Sequence, residues 1–135
     1  MAILLDTGVL YALADADDAW HRKAREWLEA VNELLLVPVT VLPEITYLLR
    51  TRLGAEAERR FLDSIVAGEL DVDMLRPDDI ARACELMSRY PDLGFVDLTV
   101  VAAAERLRIG IIATTDRRHF RRVTPKHATA FNLVP

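Results

Sequence analysis

Three short runs, Ile3 to Leu5, Leu34 to Val37 and Ile111 to Ala113, contain no polar residue, and helical patterns fill the intervals between them. A strand with one wet face alternates apolar and polar side chains, whereas an unbroken apolar run needs cover on both faces. Strands of this kind separated by helices predict a mostly parallel sheet with helices on either side, a three-layer α/β/α architecture.

The remaining elements follow from spacing and punctuation. Asp6-Thr7-Gly8 reads as the exit turn of the first strand, and Val9 to Leu13 as helix. Asp15 to Asp18 suit the start of a second helix, in which Trp20, Ala24, Trp27 or Leu28, and Val31 recur at helical intervals. Thr40 is the expected N-cap of a helix from Val41 to Leu53, with Pro43 in its first turn and Gly54 past its end. Phe61, Leu62, Ile65 and Val66 mark a further helix ending near Gly68, and Leu70 to Leu75 alternate as a half-exposed strand. Pro77-Asp78-Asp79 opens a helix carrying Ile80, Ala83, Cys84 and Met87, which Pro91 stops. Val96 to Leu107 form an apolar helix, and Phe131 to Val134 a last strand. With no repeat, linker or low-complexity segment, residues 1–135 are expected to form one domain.

Of the 135 residues, 52% are hydrophobic, enough for a proper core, and the net charge of −4 excludes a global basic field. A nucleic-acid partner would have to be held by a local patch or through a metal. Cys84, the only cysteine, rules out an internal disulfide and a thiolate zinc site, and its helical setting suggests a small packing residue. The opening residues have neither a basic leader nor an apolar stretch long enough for a signal peptide or membrane span, so a cytoplasmic location is expected.

Four acids stand at element ends beside apolar stretches: Asp6, Glu44, Asp97 and Asp116. Each has an ordinary explanation when taken alone. Asp6 suits a turn with Thr7 as cap, Glu44 complements a helix dipole, Asp97 can cap the helix it begins, and Asp116 suits a solvated turn. In a parallel sheet, however, the crevice beyond the carboxyl ends of the strands is where ligands bind. Asp6 and Asp116 are expected at those ends, Glu44 one turn into a helix from the same rim and Asp97 at the start of another. That topology can bring all four together. Two carboxylates about 4 Å apart repel by roughly 4 kcal/mol at an effective dielectric near 20, so such a cluster calls for a cation. An all-oxygen site selects a hard one, Mg²⁺ with Mn²⁺ as substitute, and the chemistry it usually serves is phosphoryl transfer or phosphodiester hydrolysis.

The densest basic segment, Arg117-Arg118-His119-Phe120-Arg121-Arg122, follows directly on Asp116. Arg117, Arg118 and Arg121 are therefore candidates for phosphate contact, the alternative being a solvated surface. Thr7, Thr114 and Thr115 offer hydroxyls to the acids or to water, or serve as caps and turn residues. His21, His119 and His127 have no ligand-like spacing with one another and are given no metal; His119 is near enough to Asp116 in sequence to touch substrate.

Asp6-Thr7-Gly8, Pro43-Glu44, Asp97-Leu98-Thr99 and Thr114-Thr115-Asp116-Arg117, in this order and closed by Ala130-Phe131-Asn132-Leu133-Val134-Pro135, resemble the PIN-domain ribonucleases. More narrowly they resemble the VapC-type toxins of prokaryotic toxin–antitoxin pairs. No single motif is specific, but the ordered set spans essentially the whole chain. Leu98 departs from the pattern, since many relatives carry Ala there, but every acid is present.

The resemblance implies a PIN-like fold in which Asp6, Glu44, Asp97 and Asp116 form the Mg²⁺ site of an endoribonuclease acting on single-stranded RNA. Asp6 and Asp97 would be its main ligands, Thr7 and Thr114 would lie beside metal and substrate, and water would be the nucleophile, leaving 5′-phosphate and 3′-hydroxyl ends. It also implies a cognate antitoxin and a homodimer. A response-regulator receiver domain would need an acidic pair after the first strand and a late lysine; Thr7 follows Asp6, and neither Lys23 nor Lys126 follows a suitable strand. A haloacid-dehalogenase-like phosphatase would need a second acid two residues after Asp6, where Gly8 stands. A catalytically silent PIN scaffold that only binds RNA or a protein stays open.

Overall fold

The computed structural model describes residues 1–135. Five strands, β1 (Ala2–Leu5), β2 (Leu34–Pro38), β3 (Asp71–Asp73), β4 (Ile111–Ala113) and β5 (Asn132–Val134), form one sheet in the order β3-β2-β1-β4-β5, with every pair parallel. The sheet is thus wholly parallel, not merely mostly so. Leu4 lies level with Leu36 on one side and Ile112 on the other, and Leu4, Leu5, Val37 and Ile112 are sealed from solvent, as unbroken apolar strands require.

The helices are α1 (Thr7–Ala14), α2 (His21–Ala30), α3 (Val41–Leu53), α4 (Ala55–Val66), α5 (Pro77–Arg89), α6 (Phe95–Leu107) and α7 (Arg117–Arg122). From Leu98 to Ala104 every residue of α6 is buried, because small and β-branched side chains let this helix sit close to its neighbours on all sides. None of the helices is long and apolar enough to cross a membrane.

Strand order fixes where a ligand can bind. Leaving β1, the chain moves outward to β2 and β3 on one side, then crosses to β4 and β5 on the other. The crevice at the carboxyl ends of β1 and β4 is therefore the topological switch point. Asp6 follows β1 directly and donates its main-chain N–H to the Ala113 carbonyl at 3.0 Å, while Thr114 donates to the Val134 carbonyl at 2.8 Å.

Several local expectations are corrected. Cys84 is exposed, and Ile80 and Met87 with it. The inward face of α5 is Asp79, Ala83 and Leu86, one residue away from the expected face, because Asp79 is turned inward to meet Arg106 at 3.0 Å. The hydroxyl of Thr40 makes no capping bond to α3 and instead pairs with that of Thr99 at 2.6 Å. The N-cap of α2 is Trp20, and Asp18 accepts the Trp20 N–H at 2.8 Å in the preceding turn. Beyond Asp116, where no element was expected, the chain forms α7, anchored by the buried Phe120 and with Arg118 and Arg121 exposed.

Candidate metal and phosphate site

Asp6 is the most buried acid at the switch point, at 4% exposed. It occupies the N-cap position of α1, yet its side chain makes no capping bond. Its Oδ2 accepts the hydroxyl of Thr114, itself fully buried, at 3.1 Å. The same Thr114 oxygen accepts the main-chain N–H of Asp116 at 2.9 Å, so one side chain fixes the geometry of two acids. The pKa of Asp6 is pushed up to about 7, first by burial and then by the negative charge of Asp97, with a smaller push from Glu44. The Thr7 N–H and the Thr114 hydroxyl pull the other way.

Glu44 reaches the site from the exposed side of the first turn of α3, and its Oε1 accepts the hydroxyl of Thr7. Gly8 lets this first turn of α1 approach the loop after β4, since a Cβ there would stand 2.3 Å from the Thr115 hydroxyl oxygen. Thr7 and Thr114, the two threonines expected beside metal and substrate, therefore both touch acids directly.

Asp97 lies in the first turn of α6, whose N-cap is Gly94, and no main-chain N–H of that turn bonds to it. Its carboxyl is held above the usual range by burial. His119 opposes that shift, while Asp116 and Glu44 reinforce it. Burial and the neighbouring acids thus outweigh His119, and the ionised Asp97 carboxylate is disfavoured in the metal-free fold.

His119 is the residue that sequence reasoning left without a metal. Its Nδ1 lies 2.7 Å from Asp116 Oδ2 and 3.3 Å from Asp97 Oδ2. One ligand atom from each of the three residues lies within 4.8 Å of the others. The only sequence signal was the three-residue interval from Asp116, which brings two side chains to one side only on a helix. The other two histidines bond to main-chain carbonyls, His21 to Ala12 and His127 to Ile109, each at 2.7 Å.

The arginines of α7 divide by environment. Arg117 donates to the Pro135 carbonyl and lies 5.4 Å from the centre of the Trp20 ring, which holds its guanidinium in place. Arg122 pairs with Asp92 at 3.1 Å, and Arg118 and Arg121 are exposed with no ion pair. Together with Trp20, Thr115 and Asp116 they line an open cleft of about 600 Å³ beside the acids. Donor chemistry fits a divalent cation: carboxylate oxygens and an imidazole nitrogen converge where, without a positive charge, the acids repel one another.

The PIN domain model matches residues 3–125. Ribonuclease VapC26 of Mycobacterium tuberculosis is 30% identical over 135 residues, a match covering 98% of this chain and all of the relative. Among solved structures, VapC20 of the same organism, described as a sarcin–ricin loop cleaving toxin, superposes with a TM-score of 0.79 at 26% identity. That match covers 85% of this chain and 90% of the other. The VapBC2 structure from Rickettsia felis, bound to a promoter DNA fragment, shares the fold over the full length of both chains, with a TM-score of 0.73 and 16% identity.

Proposed function

Because the chain belongs to the PIN-domain family, as a VapC-type ribonuclease toxin of a toxin–antitoxin system, we propose that it is a Mg²⁺-dependent endoribonuclease cutting single-stranded RNA in the cytoplasm. Asp6, Glu44, Asp97 and Asp116 hold the cation, for which Mn²⁺ can substitute. A divalent ion bound there supplies an activated water and neutralises charge on the phosphate under attack. The chain's own residues do the rest. Thr114 keeps the Asp6 carboxylate aimed into the crevice and sets the main chain at Asp116. Thr7 holds Glu44, the most exposed route into the site. Arg118 and Arg121 take RNA phosphates in the cleft beside Asp116, with Arg117 fixed behind them. The product ends follow from water as nucleophile: a 5′-phosphate and a 3′-hydroxyl.

The observation that carries this reading is Asp97, which caps nothing in α6 and faces the other acids. Without metal, Asp97→Asn relieves repulsion and keeps a polar side chain, so the metal-free variant should be as stable as the parent or more so. Cleavage of single-stranded RNA should be lost in EDTA, restored by Mg²⁺ or Mn²⁺, and absent from the variant. Thermal melting provides the second measurement, since an ion that binds only the folded state raises Tm. An Asp97→Asn protein gaining as much from Mg²⁺ as the parent would remove Asp97 from the ligand set.

An apolar groove of about 540 Å³ runs between α1, α2 and α4, lined by Leu10, Leu13, Leu28 and Phe61 with Arg25 and Arg60 among its polar residues. It is the proposed seat of the cognate antitoxin, and a homodimer is part of the same proposal. Trp20 and Trp27 pack against the core, so the groove is the better surface for such a partner.

A further inference from the structure

We infer that Trp20 is the stacking platform for an unpaired RNA base beside the phosphate under attack, which limits the cleft to RNA whose bases are out of a duplex. The inference rests on the proposal that the chain cuts single-stranded RNA, and deepens it by naming the side chain that takes a base. The open cleft of about 600 Å³ is lined by four arginines of α7, by Thr115 and Asp116, and by one apolar residue, Trp20. Phosphates account for the arginines but give no reason for an aromatic ring among them. A base does, because once out of a duplex it presents a flat π-face, and stacking on an aromatic side chain tolerates every sequence.

Local structure does not call for tryptophan here. Trp20 is the N-cap of α2, a position that favours Ser, Thr, Asn or Asp, and its side chain makes no capping bond. Other groups close the turn before it: Asp18 accepts the Trp20 N–H at 2.8 Å, and Asp15 accepts the Asp17 N–H at 2.9 Å. His21 bonds to the Ala12 carbonyl at 2.7 Å, fastening the start of α2 to α1. The indole is half-buried, packing against the core while contributing to the cleft wall. A ring held in this way loses little freedom when a base settles on it. Its surroundings are cationic, with Arg117 5.4 Å and Lys23 5.3 Å from the ring centre. Arg117 is tied back by the Pro135 carbonyl, whereas Lys23 is exposed. An exposed cation over a ring stabilises less than a stacked base does, so the Lys23 ammonium gives way and is free to meet a phosphate of the bound strand.

Binding in EDTA, where RNA is held without being cut, tests this. Trp20→Leu keeps apolar bulk against the core but has no π-face, and Trp20→Phe keeps one. The Leu variant should bind oligouridylate about tenfold more weakly than the parent, with the Phe variant recovering most of the loss. The slope of log affinity against log salt should be the same in all three, since no phosphate contact is removed. An abasic ribose-phosphate chain of the same length should bind the parent and both variants equally. In the parent, oligouridylate should quench indole fluorescence and the abasic chain should not. The quench should persist in Trp27→Phe, which leaves Trp20 as the only tryptophan. Oligouridylate bound without quenching, or bound by the Leu variant as tightly as by the parent, overturns the role of Trp20 and leaves the nuclease standing. An equal loss of affinity for the abasic chain also overturns it, since the ring would then be holding the arginines and not a base. A parent that binds neither probe overturns both the platform and the RNA substrate. Because quenching is read in the unaltered chain, it decides the matter even where a variant folds poorly.

Discussion

Asp6 shows how a single carboxyl can oppose the fold that contains it. Burial, Asp97 and Glu44 raise its pKa from 3.8 to about 7. The folded state therefore binds a proton more tightly than the unfolded chain does. Its contribution to stability is fully present below about pH 4 and is lost as pH rises through about 7. In EDTA, Asp6→Asn should gain stability relative to the parent as pH increases from about 4.5 to about 7.5 and level off beyond. Melting curves across that range measure the difference, and a constant offset would show that Asp6 is not a perturbed acid. A bound cation reverses the balance, because it needs the carboxylate, so Mg²⁺ affinity should climb over the same interval. The four acids stood out as candidates in the sequence because each follows or interrupts an apolar stretch at the end or start of an element. His119 did not, because its relation to Asp116 exists only once α7 is a helix, and a run of arginines carries no apolar periodicity to announce one.

The elements that carry the acids are themselves held by charge. Arg106, near the end of α6, bonds to Asp79 at 3.0 Å and to Asp73 at 2.5 Å, tying the start of α5 and the end of β3 to the helix whose other end presents Asp97. Asp79 is 3% exposed and also accepts the Arg76 N–H at 3.0 Å. Removing the arginine leaves a buried carboxylate without its counter-charge, which typically costs about 3–5 kcal/mol. Arg106→Met should therefore lower the urea midpoint sharply with little change in slope, and a loss below about 1 kcal/mol would mean that solvent reaches Asp79 readily. This clamp also explains the misplaced face of α5. Ile80 and Met87 are apolar and Asp79 is not, so periodicity points the helix one residue away from where the ion pair holds it. Hydrophobic pattern locates a helix well, but it cannot anticipate a charge whose partner is 27 positions further along the chain.

Across the whole molecule, the fold class was legible because unbroken apolar strands admit few alternatives, whereas strand order was not. β1 lies between β2 and β4, and nothing in three-residue strands such as β4 and β5 marks them as neighbours. That order places the acids at the switch point and α7 along its rim, so a chain of net charge −4 carries a local band of arginines beside a cluster of carboxylates. An acidic protein that binds RNA this way should do so through few phosphates. For single-stranded nucleic acid, the slope of log affinity against log salt is about −0.7 per neutralised phosphate. Arg118 and Arg121, exposed and unpaired, are the side chains free to contribute, whereas Arg117 is engaged by Trp20 and Pro135 and Arg122 by Asp92. Arg118→Ala with Arg121→Ala should flatten the slope by about 1.4 in EDTA, where binding occurs without cleavage, and leave the melting temperature unchanged. Arg117→Ala should instead lower the melting temperature, since it releases the Trp20 ring and the Pro135 carbonyl together. An unaltered salt slope in the double variant would place the RNA elsewhere and leave the arginine band to some other partner.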